Sequence, residues 1–200
     1  MSKSLVIVES PAKARTIGRF LGSDYEVMAS MGHIRDLPGK KLGVDIENNF
    51  EPEYEVTKDV RRKKVVTELK AAAKKADVIY LAPDPDREGE AIAWHLQEIL
   101  QKVSKAEFKR VTFHEITRSA IDHAFEEAGD LDKDRVDAQQ ARRVLDRIVG
   151  WQVSDFLRRR IFGATSAGRV QTVALRLICE REKAILAFEP QEYWSLKVRL

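Results

Sequence analysis

Apolar positions fall in short unbroken runs through the first half of the chain and in a helical period through the second. SLVIVE (4–9) and ADVIYLAP (76–83) are the clearest runs; YEVMASM (25–31) and FKRVTFHE (108–115) are more mixed. Runs of this length, bounded by polar residues, predict strands, the first two buried on both faces. Between them the period lengthens. PAKARTIGRFLG (11–22) predicts a helix opened by Pro11 and closed near Gly22. Residues 59–75, Glu88–Val103 and SAIDHAFEEAG (119–129) predict three more helices. Strand and helix therefore alternate, which predicts an α/β fold with a mostly parallel sheet covered by helices. Residues 36–58, rich in Pro, Gly, Asn and charge, read as a long irregular insertion. After Gly129 the pattern changes. From Asp132 to about Leu186 the period is helical without a convincing strand, with breaks expected near Gly150 and Gly163, so a separate, mainly helical domain is expected. EYWSLKVRL (192–200) alternates like a strand but has no partner in the sequence, as though the chain were cut from something longer.

Composition narrows the class without changing this picture. The chain is 44% hydrophobic and 34% charged, as suits a folded globular protein. No apolar run approaches the roughly 18 residues of a membrane span, and the N-terminus has no signal-peptide pattern. Cys179 is the single cysteine, so an internal disulfide and a cysteine-based zinc site are excluded and a cytoplasmic location is expected. The net charge of +3 says little, but its distribution says more. From Arg142 to Arg176 there are eight arginines, no lysine and only two acids, Asp146 and Asp155. Such a segment attracts polyanions, or forms an ordinary solvated helix face.

Two turns carry candidate chemistry. In DPDREGE, Asp84, Asp86 and Glu88 are spaced by two, so in an extended segment their side chains point one way. They follow a buried strand, where open parallel sheets place ligands. Glu9 stands in the same position after the first strand. If the two strands are neighbours, four acids meet, and such a cluster calls for a cation among its oxygens; an oxygen-only set is what Mg²⁺ prefers. The structural alternative is that Asp86 caps a helix while Glu88 and Glu90 favour its positive end. In the opening turn, Ser10 and Pro11 have a sufficient explanation as cap and first helical residue. Lys13 does not, since a cation in the first turn faces the positive helix end. It suits an ion pair with Glu9, a phosphate contact or a proton transfer. Ser10-x-x-Lys13 also matches the serine–lysine pattern of penicillin-binding enzymes, but the companion motifs are absent, and GHIRDLPGKK does not have P-loop spacing.

VIVESPAKARTI, GHIRDLP, DPDREGEAIAWHL, QARRVLDRIVGW and SAGRVQTVALRLICEREKAI occur in the order found in bacterial type IA DNA topoisomerases. The chain resembles that family over essentially its whole length, and its first part resembles the Rossmann-like Toprim domain. The resemblance implies a Toprim metal-binding domain over 1–116, a helical single-strand DNA-binding domain over 117–190, and the first strand of a following domain over 191–200. It implies ATP-independent breakage, passage and rejoining of single strands, which relaxes negatively supercoiled DNA. Glu9, Asp84 and Asp86 would hold Mg²⁺, with Glu88 in the same cluster, and Lys13 would supply the proton to the leaving 3′ oxygen. His33 would contact DNA, with Arg35 a second candidate nearby. Arg142, Arg143, Asp146, Trp151 and Arg158 would line a strand groove; Arg147 shares a helix face with Arg143. The family often has an aromatic residue where Arg158 stands. Ser166, Ala167, Gly168, Arg169, Val170 and Gln171 resemble a second DNA-contacting element. None of Tyr25, Tyr54, Tyr80 and Tyr193 has the sequence context of the family's nucleophile. That tyrosine is expected beyond residue 200, so these 200 residues alone should not relax DNA. The expected partner is DNA, acted on by a monomer in the cytoplasm at the nucleoid, with no membrane. Two alternatives stay open: a Toprim enzyme of another kind, such as a metal-dependent nuclease or primase-like enzyme, and a non-catalytic single-strand-binding module.

Overall fold

The computed structural model describes residues 3–163 and 166–199. Four parallel strands form the central sheet: β1 (Lys3–Val8), β2 (Tyr25–Ala29), β7 (Ala76–Leu81) and β8 (Glu107–Arg110), in the order β2-β1-β7-β8. Within β1, Leu5 and Ile7 belong to one apolar cluster while Val6 and Val8 belong to another. Both faces of the strand are therefore covered, as its unbroken apolar run requires. The first cluster is completed by α2 (Val60–Ala73) and α3 (Arg87–Leu100), through Leu69, Ala73, Leu96 and Leu100. The second is completed by α1 (Pro11–Leu21) and α4 (Arg118–Glu126), through Ile17, Ile121 and Ala124.

The chain leaves β1 to one side, through α1 to β2, and later returns on the other side as β7. Strand order thus reverses between β1 and β7. Crevices at the carboxyl ends of strands flanking such a reversal are where open α/β sheets bind ligands. The pairing places Ile7 opposite Leu81, and the Ala82 amide continues the ladder to the Ile7 carbonyl at 2.8 Å. Glu9 and Asp84 emerge just past these last pairs.

The α/β reading of the sequence holds, with local corrections. β2 ends at Ala29 rather than Met31, because Met31 and Gly32 both have positive φ, 61° and 80°. β8 stops at Arg110, not Glu115. Among the described residues it is an edge strand beside β7, which ends at Leu81. Residues 36–58 are not wholly irregular. They hold two short antiparallel pairs: β3 (Arg35–Asp36) with β6 (Glu55–Val56), and β4 (Val44–Asp45) with β5 (Glu51–Pro52). α5 (Lys133–Arg160) runs through Gly150 without a break. One glycine costs a helix only about 1 kcal/mol relative to alanine, which 28 residues absorb. The chain does turn at Gly163, with φ of 81°, before α6 (Arg169–Leu186).

Two compact units result, Met1–Leu145 and Asp146–Leu200. Their division falls inside α5, later than the change of pattern after Gly129 in the sequence. α4 completes the second apolar cluster of the sheet, and Gly129 pairs with Arg110 at the end of β8. From Phe188 to Arg199 the chain forms no strand, since a lone segment has no ladder to join; Leu200 lies outside the described residues.

Candidate active site

The first turn is built by local rules. Ser10 caps α1, accepting the Lys13 amide at 3.4 Å, and Pro11 takes the first helical position. The cap aims the Lys13 side chain back over the end of β1. Its ammonium donates to Glu9 Oε1 and also to Asp84 Oδ1, 71 residues away in sequence. One cation thus bridges the carboxylates that follow the two central strands. Burial disfavours charge on Lys13, but the hydrogen bonds to Asp84 and Glu9 outweigh it and raise its pKa above the ordinary lysine value. Burial likewise opposes ionisation of Asp84. Hydrogen bonding with Glu9 and Lys13, and the charges of Lys13 and Arg110, reverse that effect and hold its carboxyl below the usual range.

The other two acids of the motif point elsewhere. Asp86 caps α3, its carboxylate accepting the Gly89 amide at 2.7 Å. Glu88 Oε2 accepts from the Gln139 side-chain amide at 3.2 Å and lies 3.4 Å from His33 Nε2. The structure therefore brings Glu9, Lys13 and Asp84 together, and His33 with Glu88. Among the described residues, no three acidic or imidazole groups gather as a metal-holding set.

The arginine-rich segment divides between the two compact units. In the first, Arg143 is held bidentately by Asp36, at 2.8 and 2.7 Å, and Arg142 is half-buried. In the second, Arg147, Trp151, Ser154 and Arg158 recur at helical spacing along one face of α5. Trp151 is exposed, and Ser154 is buried. The Ser154 hydroxyl accepts the Ala167 amide at 2.9 Å and donates to the Ala167 carbonyl at 3.1 Å, tying Ser166-Ala167-Gly168 to α5. Arg169 donates to Asp146 at 2.7 Å. Gly168 caps α6 without a side-chain hydrogen bond, and Val170 and Gln171 lie exposed in its first turn.

Residues 4–116 match the Toprim domain model, and residues 130–200 match the model described as DNA topoisomerase. Full-length topoisomerase I from Thermotoga maritima is similar in structure, with a TM-score of 0.79 and 49% identity. That similarity covers 94% of this chain but 31% of the Thermotoga protein. The chain belongs to the Toprim-containing type IA topoisomerases.

Three further residues support this Toprim site: Arg110, and Glu90 and Gly89 from the end of DPDREGE. Arg110 and Glu90 form an ion pair at 2.9 Å, each side chain only 3% exposed. Arg110 also donates to the carbonyls of Leu81, Pro83 and Asp84, at 3.1, 2.9 and 2.7 Å, so it clamps the backbone that presents Asp84. Glu90 accepts the Asp132 amide at 2.9 Å, fixing the chain just before α5. Gly89 is required by close approach: a Cβ there would stand 2.0 Å from the Asp84 carbonyl oxygen. The sequence shows Glu90 as an acid in a helix first turn and Arg110 as a strand charge. Only their shared burial reveals the clamp.

Proposed function

We propose that this chain supplies the metal-binding acidic cluster and strand-binding surfaces of a type IA DNA topoisomerase, which breaks, passes and rejoins single strands without ATP and relaxes negatively supercoiled DNA. The observation that carries the reading is the Lys13 ammonium shared by Glu9 and Asp84 at the strand-order reversal. Two carboxylates that already share one cation fit Mg²⁺, which binds through one or two carboxylates and keeps several waters. Glu9 and Asp84 would hold it, with Asp86 and Glu88 in reserve around the same turn. When bound, the metal would neutralise charge on the reacting phosphate.

The remaining chemistry belongs to the chain itself. Lys13 stays protonated at neutral pH and holds a proton at Nζ for the leaving 3′ oxygen. Glu9 and Asp84 orient that ammonium. His33, at the rim beside Glu88, and the arginines 142, 143, 147, 158 and 169 contact phosphates, whose oxygens suit guanidinium forks. Trp151 stacks on a base. Asp146 positions Arg169, and the Ser166–Gln171 segment offers backbone amides at the start of α6. The attacking tyrosine is not among these residues. Tyr25 and Tyr80 pack with Phe125, the Tyr54 hydroxyl is buried, and Tyr193 lies in the irregular segment after α6. The 200 residues alone are therefore inactive in relaxation. We further assign the domains as 1–116, 117–190 and 191–200, and the working protein as a cytoplasmic, nucleoid-acting monomer. No described helix is long and apolar enough to cross a membrane.

The test is plasmid relaxation by the full-length protein. Asp84→Asn and Lys13→Met should each lower the rate at least a hundredfold, while affinity for a single-stranded oligonucleotide changes less than threefold, in keeping with general acid–base effects of about 10²–10⁴. Wild-type relaxation rates in both variants would overturn the assignment.

A further inference from the structure

Arg135, Gln139 and Arg143 stand at four-residue spacing on α5, so they share one helix face. All three belong to the first compact unit, and each bonds to a segment near the acidic turn. Arg135 donates to the Pro85 carbonyl at 3.0 Å, Gln139 to the Glu88 carboxylate at 3.2 Å, and Arg143 to Asp36 at 2.8 and 2.7 Å. The outer two are cations. Gln139 between them is neutral and only 6% exposed. A guanidinium in its place would make an ion pair with Glu88; the amide holds the carboxylate and leaves its charge in place.

Glu88 stands between two sets of partners. Its Oε2, the oxygen that Gln139 holds, lies 3.4 Å from His33 Nε2. The His33 carbonyl is itself engaged, accepting from Arg62 at 3.4 Å. His33, Glu88 and Gln139 share the wall of a cavity of about 450 Å³, which gives the carboxylate room to turn. On its other flank is the carboxylate pair that shares the Lys13 ammonium. The first turn of α3 rests directly on Asp84, since a Cβ on Gly89 would stand 2.0 Å from the Asp84 carbonyl oxygen. Glu88, the residue before Gly89, is therefore a neighbour of that pair, yet it is turned to Gln139 and His33.

We propose that Gln139 is a positioning residue: it holds Glu88 beside His33 and withholds it from the cation cluster until a strand phosphate takes the imidazole. The inference rests on the cation and strand-binding reading above and adds a residue that acts through Glu88. A phosphate on His33 removes one of the two partners that keep Glu88 in place, and one neutral donor is all that then retains it. Once released, the carboxylate joins Glu9 and Asp84 as an oxygen donor for a divalent cation. Strand and cation thereby strengthen each other's binding, by the same factor in both directions.

The test is calorimetric titration of the full-length protein with Mg²⁺, alone and with a single-stranded oligonucleotide at saturation. Without DNA, Gln139→Met and Gln139→Leu, each folded by its melting curve, should bind Mg²⁺ about threefold to tenfold more tightly than wild type, the worth of the one hydrogen bond removed. On the oligonucleotide all three proteins should bind Mg²⁺ alike, since Glu88 is released in each. A merely loosened fold would weaken binding in both states. Equal or weaker Mg²⁺ binding by the variants without DNA, or a difference that persists on the oligonucleotide, would overturn the role of Gln139 while leaving the cation site intact. Failure of wild type to bind Mg²⁺ in either state, or to bind the oligonucleotide, would remove the underlying reading and this inference with it.

Discussion

At the scale of single residues, charge state is decided by what each group is packed against. His95 lies on α3, only 2% exposed and packed against Tyr54 and Trp94, where burial favours the neutral ring. The nearby charges of Arg35 and His33 push the same way, and Asp36 opposes them. Its folded pKa of about 3 is below the ordinary histidine value of 6.5, so the unfolded chain binds a proton that the native state refuses. Stability therefore falls as pH drops from about 6.5 toward 3, at a slope approaching ~1.4 kcal/mol per pH unit from this group. Denaturant titrations of wild type and His95→Gln across that range should show a shallower slope in the variant. Equal slopes would mean that the ring is protonated in the fold. The histidine itself was visible in the sequence, inside AIAWHL. Its neighbours were not, because Tyr54 and Arg35 arrive from the segment between β2 and α2.

Elements show a second kind of dependence. The capping rules that place Ser10, Asp86 and Thr117 at helix starts are local, and each can be read from a few neighbouring residues. The Arg110–Glu90 clamp is different, for it joins the end of β8 to the first turn of α3 and to the backbone after β7. Removing one partner leaves a buried charge and several unpaired carbonyls. Arg110→Met should therefore destabilise the fold by about 3–5 kcal/mol, measured by chemical denaturation. An apolar pair, Arg110→Met with Glu90→Leu, should recover part of that loss. A single substitution that cost less than 1 kcal/mol would show that the clamp is dispensable. The same short-range logic explains the error at Gly150. Glycine signals a break locally, but the surrounding helix of α5 has enough regular turns to carry it.

For the whole molecule, the relevant property is how its positive charge meets a polyanion. Net charge is only +3, so long-range attraction is modest, and the proposed strand binding would rest on arginines concentrated after residue 141. Single-strand affinity should fall linearly with salt on logarithmic axes, with a slope near −0.7 per neutralised phosphate. Substituting Arg147 and Arg158 together by alanine should reduce that slope by about 1.4, as measured by fluorescence anisotropy. An unchanged slope would remove both from the phosphate-contacting surface. α6 adds a further whole-molecule feature: none of its residues is buried, and Val170, Val173 and Leu177 are each more than half exposed.

Local pattern alone determined the order of strands and helices, the caps, the acidic and basic turns, and the five motifs that mark the family. These are properties of residues close together in the chain, where period and turn chemistry act without knowledge of the rest. Tertiary structure alone decided which acids share a cation, that Asp84 reaches Lys13, that Arg143 faces Asp36, and that Arg110 pairs with Glu90 in the interior. Such choices are competitions among partners brought together by strand order across dozens of residues. Each is settled by distance and burial, which no single segment encodes.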